Sequence, residues 1–410
     1  MNIWRKMLVA PVIISTLGYF VDIYDLVLFS VVRVQSLQDL GLSSEEVTSV
    51  GITLINLQMF GTLVGGILWG WLGDKKGRIS MLFGSILLYS LANLLNAFVT
   101  NVTQYEILRF IAGVGLAGEL GAAVTLVAEV LDKETRAYGI TVIAGFGVLG
   151  ALVASTVVEF YNWRIAYAIG GVFGLSLLAA RFQLRESKLF SSISDHKGSH
   201  RIKNPLSQFL KLSFLKRYLP CVLLGLPVWY VVGVLLTFSP ELLKAANSPV
   251  NATGGKAIFY GYLGLAFGDL LSGPMSQFLK SRKKGILVFL FLCAISVAVL
   301  FKFPPQTLPQ FYAICMLLGL SIGYWTLFVT VAAEQFGTDI RATVASTVPN
   351  FVRGALIPIT YTFKSLTVYT GMSHAALITG AIVLTISIVS ALLVHETYNK
   401  DLDYLEGTAK

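Results

Sequence analysis

Long apolar runs separated by short polar turns fill this chain almost from end to end. A run needs roughly 20 residues to cross about 30 Å of hydrocarbon, and it must cross as a helix so that its backbone is hydrogen-bonded internally. Twelve runs reach that length, at about 8–32, 47–73, 79–100, 104–130, 138–158, 162–184, 217–239, 255–279, 285–303, 308–331, 343–366 and 372–394. The longest polar stretch, Arg185–Lys216, follows the sixth run. The pattern predicts an all-α membrane protein with twelve transmembrane helices in two pseudo-symmetric six-helix bundles. The first bundle would be 1–184 and the second 217–394, with a cytoplasmic linker at 185–216 and a cytoplasmic tail at 395–410.

The two halves repeat each other. Thr125-Leu-Val-Ala-Glu129, followed by Arg136-Ala137, returns as Thr330-Val-Ala-Ala-Glu334, followed by Arg341-Ala342, at a constant offset of 205 residues. The same offset carries Gly77–Arg78 onto Arg282–Lys283 and Asp74 onto Leu279, so the second half keeps a basic turn but lacks the acid. Parallel six-helix repeats about an axis along the membrane normal resemble the architecture of secondary transporters, and that resemblance implies alternating access, with the halves rocking around a site near the midplane. Glu129, Arg136, Glu334 and Arg341 would then make contacts on the cytoplasmic side that break as an inner gate opens. Simple ion pairing at helix ends would use the same residues.

Composition excludes a soluble domain: 55% of residues are apolar, only 13% are charged, and the mean hydropathy is +0.73. The net charge of +9 is explained by the positive-inside rule rather than by nucleic acid. Of the 31 basic residues, Arg33, Arg164, Lys244, Lys256, Lys302 and Lys364 fall on one face, Arg109 and Arg353 lie inside predicted spans, and the remaining 23 fall on the face that holds both termini. The termini are therefore expected in the cytoplasm. The start of the chain imitates a signal peptide, but its apolar run continues past Phe20 and reads as an uncleaved first helix. Cys221, Cys293 and Cys315 form no C-x-x-C pair, so neither a disulfide framework nor a metal site is expected. Two N-x-T sequons, at Asn101 and Asn251, read as chance matches.

Between the second and third runs lies Gly70-Trp-Leu-Gly-Asp74-Lys-Lys-Gly77-Arg78, a tight charged turn suited to two antiparallel helices. Its glycines permit small or positive-φ positions, and Asp74 is placed to serve a helix terminus. The turn resembles the G-x-x-x-D-x-x-G-R signature of the major facilitator superfamily of secondary transporters, which makes Gly70, Asp74, Gly77 and Arg78 candidate gating residues.

Six ionisable residues sit deep in predicted spans: Asp22, Asp25, Arg109, Glu119, Asp269 and Arg353. Each costs about 3 kcal/mol or more to insert, so each is expected to face a cavity or a partner. Asp22 and Asp25 are three residues apart on one helix face, where two carboxylates cannot both ionise cheaply. That arrangement suits proton coupling, and it resembles the D-x-x-D of the first helix in metabolite–proton symporters. Arg109-Phe-Ile-Ala-Gly113-Val-Gly115-Leu-Ala-Gly118-Glu119 allows close helix packing and resembles the R-x-x-x-G-x-G-x-x-G-E stretch of those symporters and of organic-ion transporters. Arg109 and Glu119 are thereby candidates for coupling or gating, or members of a buried structural network. Arg353 has a neutral repeat mate, Val148, and its guanidinium suits a carboxylate; its position resembles the anion-binding Arg of organic-anion transporters. It could instead neutralise a buried acid such as Asp25 or Asp269. Tyr24, Gln58, Trp229, Tyr230, Tyr324 and Trp325 are further candidates to line a cavity. The repeat mates of Asp22 and Asp25 are Pro227 and Tyr230, so the proton-handling acids are expected in the first half and the anion clamp in the second.

The reading is a monomeric, proton-coupled symporter that takes up a small organic acid or amino-acid-like metabolite across a bacterial inner membrane. The alternative is a proton-driven exporter of cationic or amphipathic compounds. No His-Glu-x-x-His, P-loop or nucleotide fingerprint is present, so neither an enzyme nor a cofactor is expected. The expected partners are a small molecule, protons and the lipid bilayer.

Overall fold

The computed structural model describes residues 10–76, 78–119, 133–185, 211–337 and 340–399. Gly77 and Glu129, and the side chains of Asp74, Arg78 and Arg136, lie outside the described residues. Among those described, all regular structure is helical. Six long helices come first: α1 (Ala10–Asp39), α2 (Ser44–Lys76), α3 (Arg78–Asn96), α4 (Val102–Leu116), α5 (Lys133–Phe160) and α6 (Trp163–Arg185).

The second six spans are more broken. The seventh is α7 (Leu212–Leu224), α8 (Leu226–Tyr230) and a π-helical turn, Val231–Leu236, followed by the short α9 (Ser239–Ala245). Pro227 stands in the first turn of α8, where its missing N–H breaks the preceding ladder. Next come α10 (Gly254–Phe278) and α11 (Arg282–Lys302). The tenth span splits into α12 (Leu308–Ile322) and α13 (Trp325–Glu334), and the eleventh into α14 (Arg341–Gly354) and α15 (Leu356–Thr370), before α16 (Met372–Leu393). The offset of 205 carries Val102–Leu116 onto 307–321, where Leu308–Ile322 stands, and Arg78–Asn96 onto 283–301, where Arg282–Lys302 stands. The repeat is structural as well as sequential.

Polar turn residues start the helices. Ser43 and Glu46 form a reciprocal capping box at α2, with the carboxylate accepting from Ser43 N at 2.9 Å and from its hydroxyl at 2.7 Å. Asn101, which opens one of the sequons, accepts from Gln104 N and caps α4. Glycines let the spans pack closely: a Cβ on Gly113 would overlap the Gln58 carbonyl, and one on Gly319 the Gly261 carbonyl. These are the small-residue crossings that the sequence of the fourth span predicts.

Helices α5 and α10, α2 and α14, and α1 and α10 meet between the two sets of six. At the end of the bundle opposite the chain termini, polar contacts join the sets. Arg33 Nη2 meets Glu241 Oε1 at 2.5 Å, Lys256 pairs with Glu159, and Lys364 Nζ donates to Ser49 Oγ at 2.9 Å. Arg33 is 1% exposed, donates also to the Thr237 carbonyl at 3.2 Å, and stacks on Phe238 at 4.4 Å. The sequence places Arg33 in a loop. It lies instead inside α1, which runs seven residues beyond the predicted end at 32 to Asp39.

At the termini end, Glu396 follows the last span and turns back onto the start of α11. It accepts from Ser281 Oγ, from Arg282 N at 3.0 Å, from Lys283 N at 3.3 Å and from Tyr398 N at 2.9 Å. Partial burial pushes its carboxyl up, but these hydrogen bonds outweigh that and hold it below the usual carboxylate range. The tail thus supplies an acid beside the very turn that lacks one at Leu279. Glu396→Ala is expected to lower stability by about 1 kcal/mol, the usual size of a lost helix cap. Thermal unfolding in detergent checks this. Because the folded pKa is lowered, the contribution is present at neutral pH and is lost only as pH falls through that lowered value.

Candidate functional site

A cavity lies between the two sets of spans, with Tyr19 and Ile23 from α1 on one side and Trp229, Tyr262, Trp325 and Arg353 on the other. Water-sized spheres have their centres in about 30 Å³ of it, which is room for one or two waters. Among the sequence candidates, Arg353, Trp229 and Trp325 line it.

Across the cavity wall, Arg353 Nη2 donates to Asp22 Oδ2 at 2.9 Å, with the two side chains 1% and 0% exposed. The contact is one-pronged. Arg353 Nε and Nη1 and Asp22 Oδ1 make no hydrogen bond. Each two-pronged edge of a guanidinium, Nε with Nη2 or Nη1 with Nη2, includes the nitrogen that Asp22 engages here, so a carboxylate taken by a fork of Arg353 would share or displace the Asp22 contact.

Asp25 does not share this partner. It lies near Arg109 and Asn93 without a hydrogen bond to either, against the α6 backbone at Gly170. Arg109 is held by Asn93 Oδ1 at 2.6 Å and by the Tyr167 ring at 4.8 Å, and Tyr167 hydroxyl meets that of Tyr105 at 2.7 Å. Glu119 is separate from Arg109 and forms a two-pronged ion pair with Arg181, at 2.5 Å and 3.2 Å, against Gly18. Arg109 thus sits in one buried network and Glu119 in another. Sequence reasoning missed Arg181 because it sits near the end of its apolar run, among loop cations.

Four of the aromatic and polar candidates do not line this cavity. Tyr24 hydroxyl donates to Ala166 O at 2.8 Å, Gln58 Nε2 to Leu26 O at 3.2 Å, Tyr230 hydroxyl to Ala376 O at 2.7 Å, and Tyr324 hydroxyl to Leu224 O at 2.8 Å. Each satisfies its buried polar atom on a neighbouring helix of its own half. Tyr19 and Tyr262 line the cavity in their place. Of the gating candidates, Gly70 lies within α2 with nothing crowding it. Glu334 accepts from Thr397 Oγ1 at 2.6 Å and faces Arg282 at 3.6 Å, while Arg341 donates to the Phe336 carbonyl at 3.2 Å. Asp269 accepts from Thr326 N at 3.0 Å and is 7% exposed, buried as its place deep in a predicted span implies.

Residues 15–359 match the family described as the Major Facilitator Superfamily. The chain belongs to that superfamily. The chain is 26% identical over 420 residues to the niacin transporter NiaP of Acinetobacter baylyi, covering 94% of each chain. It is 27% identical over 353 residues to the putative niacin/nicotinamide transporter NiaP of Bacillus subtilis, covering 83% of this chain and 84% of that one. A crystal structure of a D-xylose–proton symporter superposes with a TM-score of 0.72 at 16% identity, covering 98% of this chain and all of that one. At that identity the likeness speaks for the fold: twelve spans in two six-helix bundles. As a Major Facilitator Superfamily member, the chain is an integral membrane transporter and not an enzyme, and its cavity lies where the two bundles meet.

Proposed function

We propose that this protein takes up an aromatic monocarboxylate together with one proton, with Arg353 binding the carboxylate and Asp22 the proton. The observation that carries the reading is the buried one-pronged Asp22–Arg353 pair, with Nε and Nη1 of the guanidinium unbonded, in the wall of a cavity that Trp229 and Trp325 also line. The niacin transporters among the relatives support the substrate class, since niacin is an aromatic acid.

Charge balance then makes the coupling obligatory. The empty site holds one carboxylate and one guanidinium and is neutral. A proton on Asp22 and a substrate carboxylate on Arg353 leave it neutral again. Either ligand alone would bury one net charge at the midplane, and a buried unpaired charge is costly to carry through a closed state. The bundles therefore exchange faces empty or doubly loaded. We place the bundles at 1–184 and 217–394, joined by the linker 185–216 and followed by the tail 395–410. Both termini then face the cytoplasm of a bacterial inner membrane, following the basic residues, and a monomer suffices because the whole cavity is made by one chain. The end closed by Arg33 and Glu241 is then the outer face, and the conformation is closed to the outside.

Asp22→Asn tests the coupling. With a neutral residue at 22, the empty site carries one net positive charge and cannot return, whereas the substrate-loaded site is neutral. Accumulation driven by a pH gradient should be abolished while exchange of internal for external substrate persists. Wild-type binding should weaken as pH rises, because the ionised Asp22 competes for Arg353, and the variant should bind independently of pH. Unchanged pH dependence in the variant would remove Asp22 from the mechanism.

A further inference from the structure

Asp269 lies in the second bundle, takes no part in the Asp22–Arg353 exchange, and is fixed at a break in a span. Helices α10 and α12 cross backbone to backbone: a Cβ on Gly268 would overlap the Leu320 carbonyl, and one on Gly323 the Gly268 backbone. At that crossing the tenth span loses its helical geometry at Gly323 and Tyr324 and restarts at Trp325. A helix that starts inside a membrane exposes first-turn N–H groups with no carbonyl partner, and water is not at hand to satisfy them. Asp269, next in sequence to Gly268, is delivered to this point, and its Oδ1 accepts from Thr326 N at 3.0 Å. The partial positive charge of the helix start favours a carboxylate there.

The residue whose position this bond determines is Trp325. It is the first residue of α13, lies at the cavity wall, and packs on Phe328 with ring centroids 5.3 Å apart. Asp269 itself is not a lining residue of the cavity, and its Oδ2 makes no hydrogen bond. Among the ion pairs of the described residues, Arg353 is paired with Asp22 and not with Asp269. We propose that Asp269 is a positioning residue for substrate: by bonding the start of α13 it holds Trp325 as the wall against which the aromatic ring of the substrate packs. The inference rests on the reading that an aromatic carboxylate occupies this cavity.

The test measures ring preference, the ratio of affinity for nicotinate to affinity for cyclohexanecarboxylate, on purified full-length protein. The two acids carry the same charge, and only one is aromatic. Asp269→Ala removes the acceptor and should reduce the preference by roughly 2- to 12-fold, the size of one aromatic contact, while leaving affinity for the saturated acid near the wild-type value. Asp269→Asn keeps an acceptor at the same place and should retain the preference. Trp325→Ala should lose it, and Asp269→Ala added to Trp325→Ala should lose nothing more. Asp269→Ser, whose hydroxyl is too short to reach Thr326 N, takes the place of Asp269→Ala if that variant does not fold. If Asp269→Ala or Asp269→Ser keeps the preference that Trp325→Ala loses, or if the two losses add, the positioning role is overturned and the cavity reading stands. If the wild type shows no ring preference, or Trp325→Ala keeps it, the cavity reading fails and takes this inference with it.

Discussion

Arg353→Ala is expected to weaken binding of an aromatic carboxylate by about 2–5 kcal/mol, the range for removing one partner of a desolvated charge pair. Arg353→Lys should also weaken it, though less, because an ammonium keeps the charge but not the planar two-point contact. The guanidinium makes one hydrogen bond to Asp22 and has two further donors free beside the cavity, so both the charge and the shape of the fork enter the result. Arg353→Ala also leaves Asp22 buried without a partner, a loss of about 3–5 kcal/mol in stability if the carboxylate stays ionised. Two measurements separate these effects. The double variant Asp22→Asn/Arg353→Ala should recover thermal stability but not binding; recovery of binding as well would show that Arg353 serves only to neutralise Asp22.

The apolar runs made most of the fold legible, because a membrane span is a matter of length and hydropathy and twelve runs have both. Asp22, Asp269 and Arg353 were equally legible as important, since a charge in the middle of such a run has few explanations. Their partners were not. Asp22 and Arg353 are 331 residues apart in sequence, and nothing local to either says which acid meets which base. Arg33 and Arg181 were hidden for a different reason: each lies near the end of its apolar run, where a cation ordinarily belongs to a loop, and only the structure shows α1 reaching Asp39. Aromatic residues were ambiguous throughout. In a bundle whose helices are apolar all round, periodicity does not distinguish a cavity face from a packing face, so Trp229 and Trp325 looked no different from Tyr230 and Tyr324.

Glu241→Gln should shift the protein toward the state open at the Arg33 end. In the closed state Arg33 is buried and depends on Glu241, on the Thr237 carbonyl and on the face of Phe238. When the halves part at this end, water can solvate the guanidinium, so the loss falls mainly on the closed state. Glu241 is 20% exposed, which moderates the effect; a loss of about 2 kcal/mol corresponds to a roughly 30-fold change in the ratio of the two states. A cysteine placed at Leu26, which lines the central cavity, reports the shift. The three natural cysteines are buried and give little background. In the orientation proposed above, a membrane-impermeant maleimide added from outside should label Leu26→Cys faster when Glu241→Gln is present, and an unchanged labelling rate would mean that the Arg33–Glu241 pair does not hold its end shut.

The two arginine pairs run in opposite directions. Arg33 comes from the first half and its acid from the second, while Arg353 comes from the second half and its acid from the first. By the 205-residue offset, the counterparts of Arg33, Glu241, Asp22 and Arg353 are Phe238, Ser36, Pro227 and Val148, all neutral. Arg33 lies directly over its own counterpart, Phe238, and Val148 lines the same cavity as Arg353. Each half therefore holds one member of each pair and a blank where the other would be. Two copies of either half, assembled head to head in the manner of a symmetric ancestor, would lack both pairs. The charges that join this molecule belong to its asymmetry, and they make the covalent union of two unlike halves a condition of the site rather than a convenience of assembly.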